Sequence, residues 1–212
     1  MMLTVPDRVG RSIDPQMPLD LQPLSPERLP DLASLFGQGG DPKWCWCASF
    51  RLRSLDFTKA NPAENRKVLE AALAHDAELD RAPGLIAYAE GTAVGWVSLK
   101  PREDFERLAH SKILAPVDDT PVWSIVCFVV GRRHRGQGVA GALLDAAIDY
   151  ARAHGAKHLE AYPVELEDGE RVASPNAYAG TLSMFERAGF TVVARRQANR
   201  VTRVRPIVRL AL

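Results

Sequence analysis

The chain has 212 residues, 27 Lys and Arg against 26 Asp and Glu, a net charge of +1 and 46% hydrophobic residues. That is the composition of a globular domain with a complete core. It gives no global field to favour nucleic acid or an anionic membrane surface, and no apolar run approaches the roughly 20 residues that cross a bilayer.

The first twenty residues carry Asp7, Arg8, Arg11, Asp14 and Asp20 where a signal peptide would be apolar, so a cytoplasmic location is expected. Residues 1–16 show no apolar period and read as a loose N-terminal extension to a single domain over 17–212. Leu19 to Leu24 alternates weakly, as a short strand would. Ser25-Pro26-Glu27 opens a helix, with Ser as N-cap and Pro in the first turn, and Gly37, Gly39 and Gly40 stop it after Phe36. Trp44, Cys45, Trp46, Cys47 and Phe50 crowd the next segment. Asn61-Pro62 starts a second helix with Val68, Leu69, Ala72 and Leu73 on one face.

Leu85–Glu90 and Ala93–Leu99 read as a hairpin turning at Gly91-Thr92. Residues 101–120 are a polar connection. Val122–Val130 is almost continuously apolar, as a strand buried on both faces is. A helix over 138–153 follows, with Ala140, Leu143, Leu144, Ala147, Ile148 and Ala151 on one stripe and Gly155 beyond its end. Lys157–Tyr162 is a strand, 163–175 a loop and 176–188 a helix closed by Gly189. Phe190–Arg195 and Val201–Leu210 are the last strands. The order β-α-α-β-β-β-α-β-α-β-β predicts an α/β (α+β) domain, a mixed, mostly antiparallel sheet with helices on both faces and one right-handed parallel crossover over 122–162.

The cysteines, Cys45, Cys47 and Cys127, are odd in number, which argues against a disulfide framework. Cys45-Trp46-Cys47 lacks the further Cys or His pair that a four-ligand zinc needs, so no metal is expected.

The informative segment is Arg133-His134-Arg135-Gly136-Gln137-Gly138-Val139-Ala140-Gly141, between a buried strand and an amphipathic helix. Two glycines permit close backbone approach, and free N–H groups at a helix start attract an anion. The segment also fits G-x-G-x-x-G, with Glu160 19 residues past Gly141, where a dinucleotide fold places its ribose-binding acid. Against that alternative, the last fifty or so residues hold no repeated βαβ units, Gly131 to Arg135 separates strand from glycine turn, and a hairpin precedes the strand.

Arg133-x-x-Gly136-x-Gly138 at a strand-to-helix junction resembles the acetyl-CoA motif of the GCN5-related N-acetyltransferase (GNAT) superfamily. Val94-Gly95-Trp96-Val97, Leu159-Glu160-Ala161 and Met184-Phe185-Glu186-Arg187-Ala188-Gly189-Phe190 resemble further pieces of it, in order. The resemblance implies a GNAT fold and acetyl-CoA as co-substrate, with an amine as acceptor. It puts the pyrophosphate on the turn (Arg133, His134, Arg135, Gly136, Gln137, Gly138, Val139, Ala140) and the pantetheine arm along Phe128, Val129 and Val130. It leaves a homodimer open. Glu160 corresponds to a catalytic glutamate of some members. Phe185 stands where a general-acid tyrosine is common and Ser124 where others have a glutamate, so Tyr178, or else Tyr162, is the candidate replacement acid, the alternative being that the weakly basic thiolate leaves without one. Trp44 to Phe50 falls where early helices wall the acceptor pocket; core packing is the competing reading. Cys127 as a nucleophile is disfavoured for lack of a nearby histidine. The expected acceptor is a small molecule, the alternatives being a protein amine or a non-catalytic acyl-CoA-binding module. Arg195, Arg196, Arg200, Arg203, Arg205 and Arg209 read as a solvated face and not as a nucleic-acid patch.

Overall fold

A computed structural model describes residues 18–166, 170, 176–199 and 201–212. The extension expected at 1–16, most of the loop at 163–175 and Arg200 lie outside those residues. Seven strands form one sheet: β1 (Asp20–Pro23), β2 (Gly84–Ala89), β3 (Thr92–Pro101), β4 (Trp123–Val130), β5 (His158–Ala161), β6 (Thr191–Arg196) and β7 (Arg205–Ala211). They lie in the order β1-β2-β3-β4-β5-β7-β6. Only β4 and β5 are parallel; every other pairing is antiparallel. The mixed, mostly antiparallel sheet is as the element order predicts.

Each face of the sheet has its own core. On one face Leu32, Leu35 and Phe36 of α1 (Leu29–Gly37) and Leu69 and Leu73 of α4 (Pro62–Glu78) cover Ile86, Trp96, Val126 and Val129. Asn61 caps α4, its side chain accepting from Glu64 N–H at 3.3 Å. On the other face α6 (Val139–Ala153) buries Val139, Leu143, Leu144, Ala147 and Ala151, each larger side chain worth about 1.5–3 kcal/mol. α6 lies close to the sheet because β3 has a glycine beneath it. A Cβ on Gly95 would sit 2.7 Å from Val139 Cγ1 and 2.9 Å from Leu143 Cδ1.

Three segments depart from the sequence expectation. The crowded stretch after Gly40 makes two short helices, α2 (Pro42–Cys45) and α3 (Ala48–Arg51). They meet at Trp46 and Cys47, both at positive φ (48° and 50°). The connection at 101–120 contains α5 (Glu106–His110), and its Phe105 and Leu108 are fully buried. The single helix expected over 176–188 is a 3-10 turn at Asn176–Ala179 followed by α7 (Leu182–Arg187). Gly180, at φ +73°, separates the two. Among the described residues no helix is long and apolar enough to cross a membrane.

Candidate active site

β4 positions the site because it parts from β5. The two pair only from Trp123 to Ile125 against Leu159 to Ala161. From Val126 to Val130, among the described residues, no strand continues that side of β4, while its other edge stays paired to β3. The β3–β4 register also slips: Ser98 faces Cys127 and Leu99 faces Ile125, so Val126 has no opposite residue. Such a bulge breaks the alternation of side chains. Ile125 and Phe128 pack toward α6, whereas Val126, Cys127 and Val129 all face the α1 side.

β4 runs into Gly131, a 3-10 turn at Arg132–His134, and then the glycines. Gly136 and Gly138 take φ of +76° and +82°, a region where a side chain would be strained. Gly138 caps α6 and no side chain bonds the cap. The Ala142 N–H bonds Gly138 O at 3.0 Å, so the amides of Val139, Ala140 and Gly141 before it have no intrahelical partner. A Cβ on Gly136 would meet nothing within 4 Å, so the turn is open. Arg135 Nε donates to Val130 O at 3.2 Å and Gln137 Nε2 to Arg133 O at 2.9 Å, tying the turn to the end of β4. Arg133 and Arg135 are exposed beside it. Free amides, a helix dipole and two guanidiniums fit a diphosphate.

The dinucleotide alternative fails on Gly141. In that fold the third glycine lets the helix pack against its strand. Here a Cβ at Gly141 meets nothing within 4 Å, and Gly95 supplies the close approach from β3.

Beside the gap in the sheet lies a pocket of about 390 Å³. β4 forms one wall through Ile125, Val126, Cys127 and Val129; Tyr162 and Tyr178 form another; Asp41, Cys45, Cys47, Phe50, Lys59 and Arg107 line the rest. Tyr178 Oη accepts from the Asp41 N–H at 3.2 Å, leaving its own hydrogen to donate elsewhere. The Asp41 carboxylate accepts from Lys59 Nζ at 2.7 Å. Arg107 donates to Ser49 O at 3.3 Å and lies over the Phe50 ring. The aromatic segment therefore divides: Trp46 is core, edge-on to Phe36 at 5.3 Å, Trp44 is 42% exposed, and Cys45, Cys47 and Phe50 reach the pocket.

Glu160 lies behind this pocket. It is 1% exposed. Its Oε1 accepts from Tyr162 Oη at 2.8 Å and Arg102 at 3.1 Å, and its Oε2 accepts from Arg209 at 2.9 Å. Ser124 Oγ is 2.9 Å from the same Tyr162 hydroxyl. Burial first, then the Glu160 charge, pushes the Tyr162 phenol far above its ordinary pKa, so it keeps its proton. Arg209 also binds Asp118 at 2.8 Å and holds that carboxyl well below the usual range. Phe185, on α7, is fully buried against Phe128 and Phe190 at 6.0 and 5.1 Å between ring centres. The C-terminal arginines are not one solvated face. Arg205 lines the pocket and donates to Tyr162 O at 3.2 Å, and the half-buried Arg209 is paired with Glu160. Arg195 and Arg203 pair with Glu165 and Glu170 nearer the surface.

Sequence reasoning missed Asp41, Lys59, Arg102 and Arg107. The one local signal was the Gly39-Gly40-Asp41-Pro42 break; nothing in the chain order says that it faces Tyr178.

An open sheet whose two parallel strands part beside an amide-lined helix start is the fold of the N-acetyltransferases that the chain resembles in its motifs. Residues 46–190 match the family model described as "Acetyltransferase (GNAT) family", and the chain belongs to that family. Solved structures share the fold at low identity. The PaiA N-acetyltransferase of Thermoplasma acidophilum, in complex with coenzyme A, superposes with a TM-score of 0.52 at 15% identity, covering 92% of this chain and 100% of the other. A mutant agmatine N-acetyltransferase in its apo form gives 0.57 at 11%, covering 92% and 99%. The NatC complex bound to Gag peptide and coenzyme A gives 0.52 at 16%, also covering 92% and 99%. No curated protein matches the sequence. Among the described residues no group of three or more His, Cys, Asp or Glu could hold a metal ion.

Proposed function

We propose that residues 17–212 act as one domain that moves the acetyl group of acetyl-CoA to the primary amine of a small molecule, by direct attack in a ternary complex. The observation that carries this reading is a succession of features: free amides at the glycine turn, an unpaired stretch of β4, and a partly open pocket beside it. The turn from Arg133 to Ala140 binds the diphosphate. The main chain of Phe128, Val129 and Val130 takes the place of a missing strand partner for the pantetheine amides. A β4 amide near Phe128 then faces the thioester oxygen and stabilises the charge that develops there. Aligning the two reactants supplies up to about 7–11 kcal/mol of the barrier.

Tyr178 protonates the departing thiolate, its hydroxyl oriented by the Asp41 N–H. Asp41 is the carboxylate an acceptor amine meets in the pocket. Glu160, the base that the family resemblance implies, reaches the amine only through the Tyr162 hydroxyl and acts as a positioning residue. A pocket of about 390 Å³ suits a small ligand.

Coenzyme A thiol release should be followed across small primary amines and peptide amines. Turnover of small amines is expected. Tyr178→Phe should lower kcat about 10²-fold, at the low end for a positioned acid, with KM for acetyl-CoA unchanged. Turnover of peptides alone would overturn the small-molecule acceptor, and turnover of neither would overturn the enzymatic reading of the pocket.

A further inference from the structure

All three cysteines of the chain line the same pocket. Cys47 is the centre of the group. Its Sγ accepts from Trp96 Nε1–H at 3.3 Å, and Cys127 belongs to the same buried cluster and the same pocket lining. Cys127 stands directly across the β3–β4 ladder from Ser98. The Ser98 hydroxyl in turn accepts from both terminal nitrogens of Arg51, at 3.2 and 3.3 Å. Arg51 also donates to Cys47 O at 3.2 Å and Pro83 O at 3.3 Å.

That guanidinium is 7% exposed, its hydrogen-bond partners are all neutral oxygens, and its Nε has no partner. Arginine does not shed its proton in a protein, and a buried cation calls for an anion nearby. Burial draws the Arg51 pKa down, and the nearby Cys47 and Asp76 oppose that. Asp76 already holds Arg81 and Lys100 at 3.0 and 3.1 Å. The Cys127 hydrogen bond first, then the Arg51 charge and the Trp96 N–H, draw the Cys47 thiol below its ordinary pKa although burial opposes them. The same hydrogen bond and burial push Cys127 well above its own. The two thiols are therefore unequal: Cys47 gives up its proton more readily than Cys127.

We propose that Cys47 and Cys127 are a redox-modifiable dithiol in the floor of the acceptor pocket, closed to a disulfide by a hydroperoxide. The Cys47 sulfur attacks one peroxide oxygen, the O–O bond breaks, and the other oxygen leaves as water or an alcohol. The Cys127 sulfur then attacks the sulfenic sulfur of Cys47 and displaces its hydroxyl as a second water. Two electrons pass from the two sulfurs to the peroxide, and the two thiol protons end in the released products. Cys45 lies in the same pocket but is hydrogen-bonded to Ser49 at 3.3 Å, and burial, then the charge of Cys47, raise its pKa. It is a bystander.

The full chain should be treated with hydrogen peroxide and read by intact mass and non-reducing peptide mapping. Neither readout depends on acetyl transfer, so this inference and the proposed function fail separately. The expected result is a loss of two hydrogens and a peptide linking Cys47 to Cys127, both reversed by dithiothreitol. Cys45→Ser should behave as the parent chain does. Cys127→Ser, or Cys127→Ala if the serine variant does not fold, should leave a sulfenic acid on Cys47 that dimedone traps. A Cys45–Cys47 link, or oxygen addition in the parent chain without any link, would overturn the proposal.

Discussion

The glycine turn proposed for the coenzyme and the pocket wall proposed for the acceptor are built in different ways. The turn draws on one stretch of chain, Val130 to Ala140, and its working groups are main-chain amides fixed by two glycines at positive φ. The wall gathers Asp41, Cys45, Cys47 and Phe50 from one segment, Lys59, Arg107, four residues of β4, Tyr162, Tyr178 and Arg205, and behind it buried charges hold one another. A backbone site depends on local conformation and can be weakened without loss of the fold. A side-chain wall shares its charges with the core, so damage to it spreads.

Four substitutions would break or sharpen that contrast. The largest effect is expected at Glu160. Glu160→Ala leaves Arg102 and Arg209, both 12% exposed, without their common carboxylate. Breaking a buried pair of this kind costs about 3–5 kcal/mol, which urea denaturation would read. A variant of unchanged stability and much reduced kcat would instead make Glu160 a chemical group and dissolve the contrast. Next comes the loss of turnover in Tyr178→Phe described above, which should leave the denaturation midpoint nearly unmoved. Gly138→Ala strains the turn by about 1–2 kcal/mol and should raise KM for acetyl-CoA roughly tenfold with little loss of fold, as steady-state kinetics beside a melting curve would show. The smallest effect belongs to Gly141→Ala. Space is open there, so the helix should gain about 0.4–1 kcal/mol with KM unchanged. A destabilised variant would revive the packing role that a dinucleotide fold gives this glycine.

The same contrast explains what could be read from the chain. The hairpin of β2 and β3, the buried strand β4, the glycine turn and α6 each announce themselves within a dozen residues, through period, punctuation or both. Glu160 is another matter. It is one carboxylate on a short strand, and the arginines that hold it lie 58 and 49 residues away. Residues 101–120 read as polar because Phe105 and Leu108 make only one helical repeat, yet both are fully buried. Arg205 and Arg209 read as solvated because arginine usually is; strand pairing with β5 carries Arg209 opposite Glu160. The break at Gly180 inside the helix expected over 176–188 needs the knowledge that Met184 Cε and Phe185 Cε2 sit within 3 Å of where its Cβ would be.

The extra residue in β4 gives the strand two kinds of tenant. Phe128 packs on the α6 side and Ile125, in the same cluster, also reaches the pocket, while Val126, Cys127 and Val129 look the other way. Substitutions at those three positions can reshape the pocket proposed for the acceptor while the helix behind the glycine turn stays in register. Descendants of this chain could change what they acetylate by editing one side of a single ribbon.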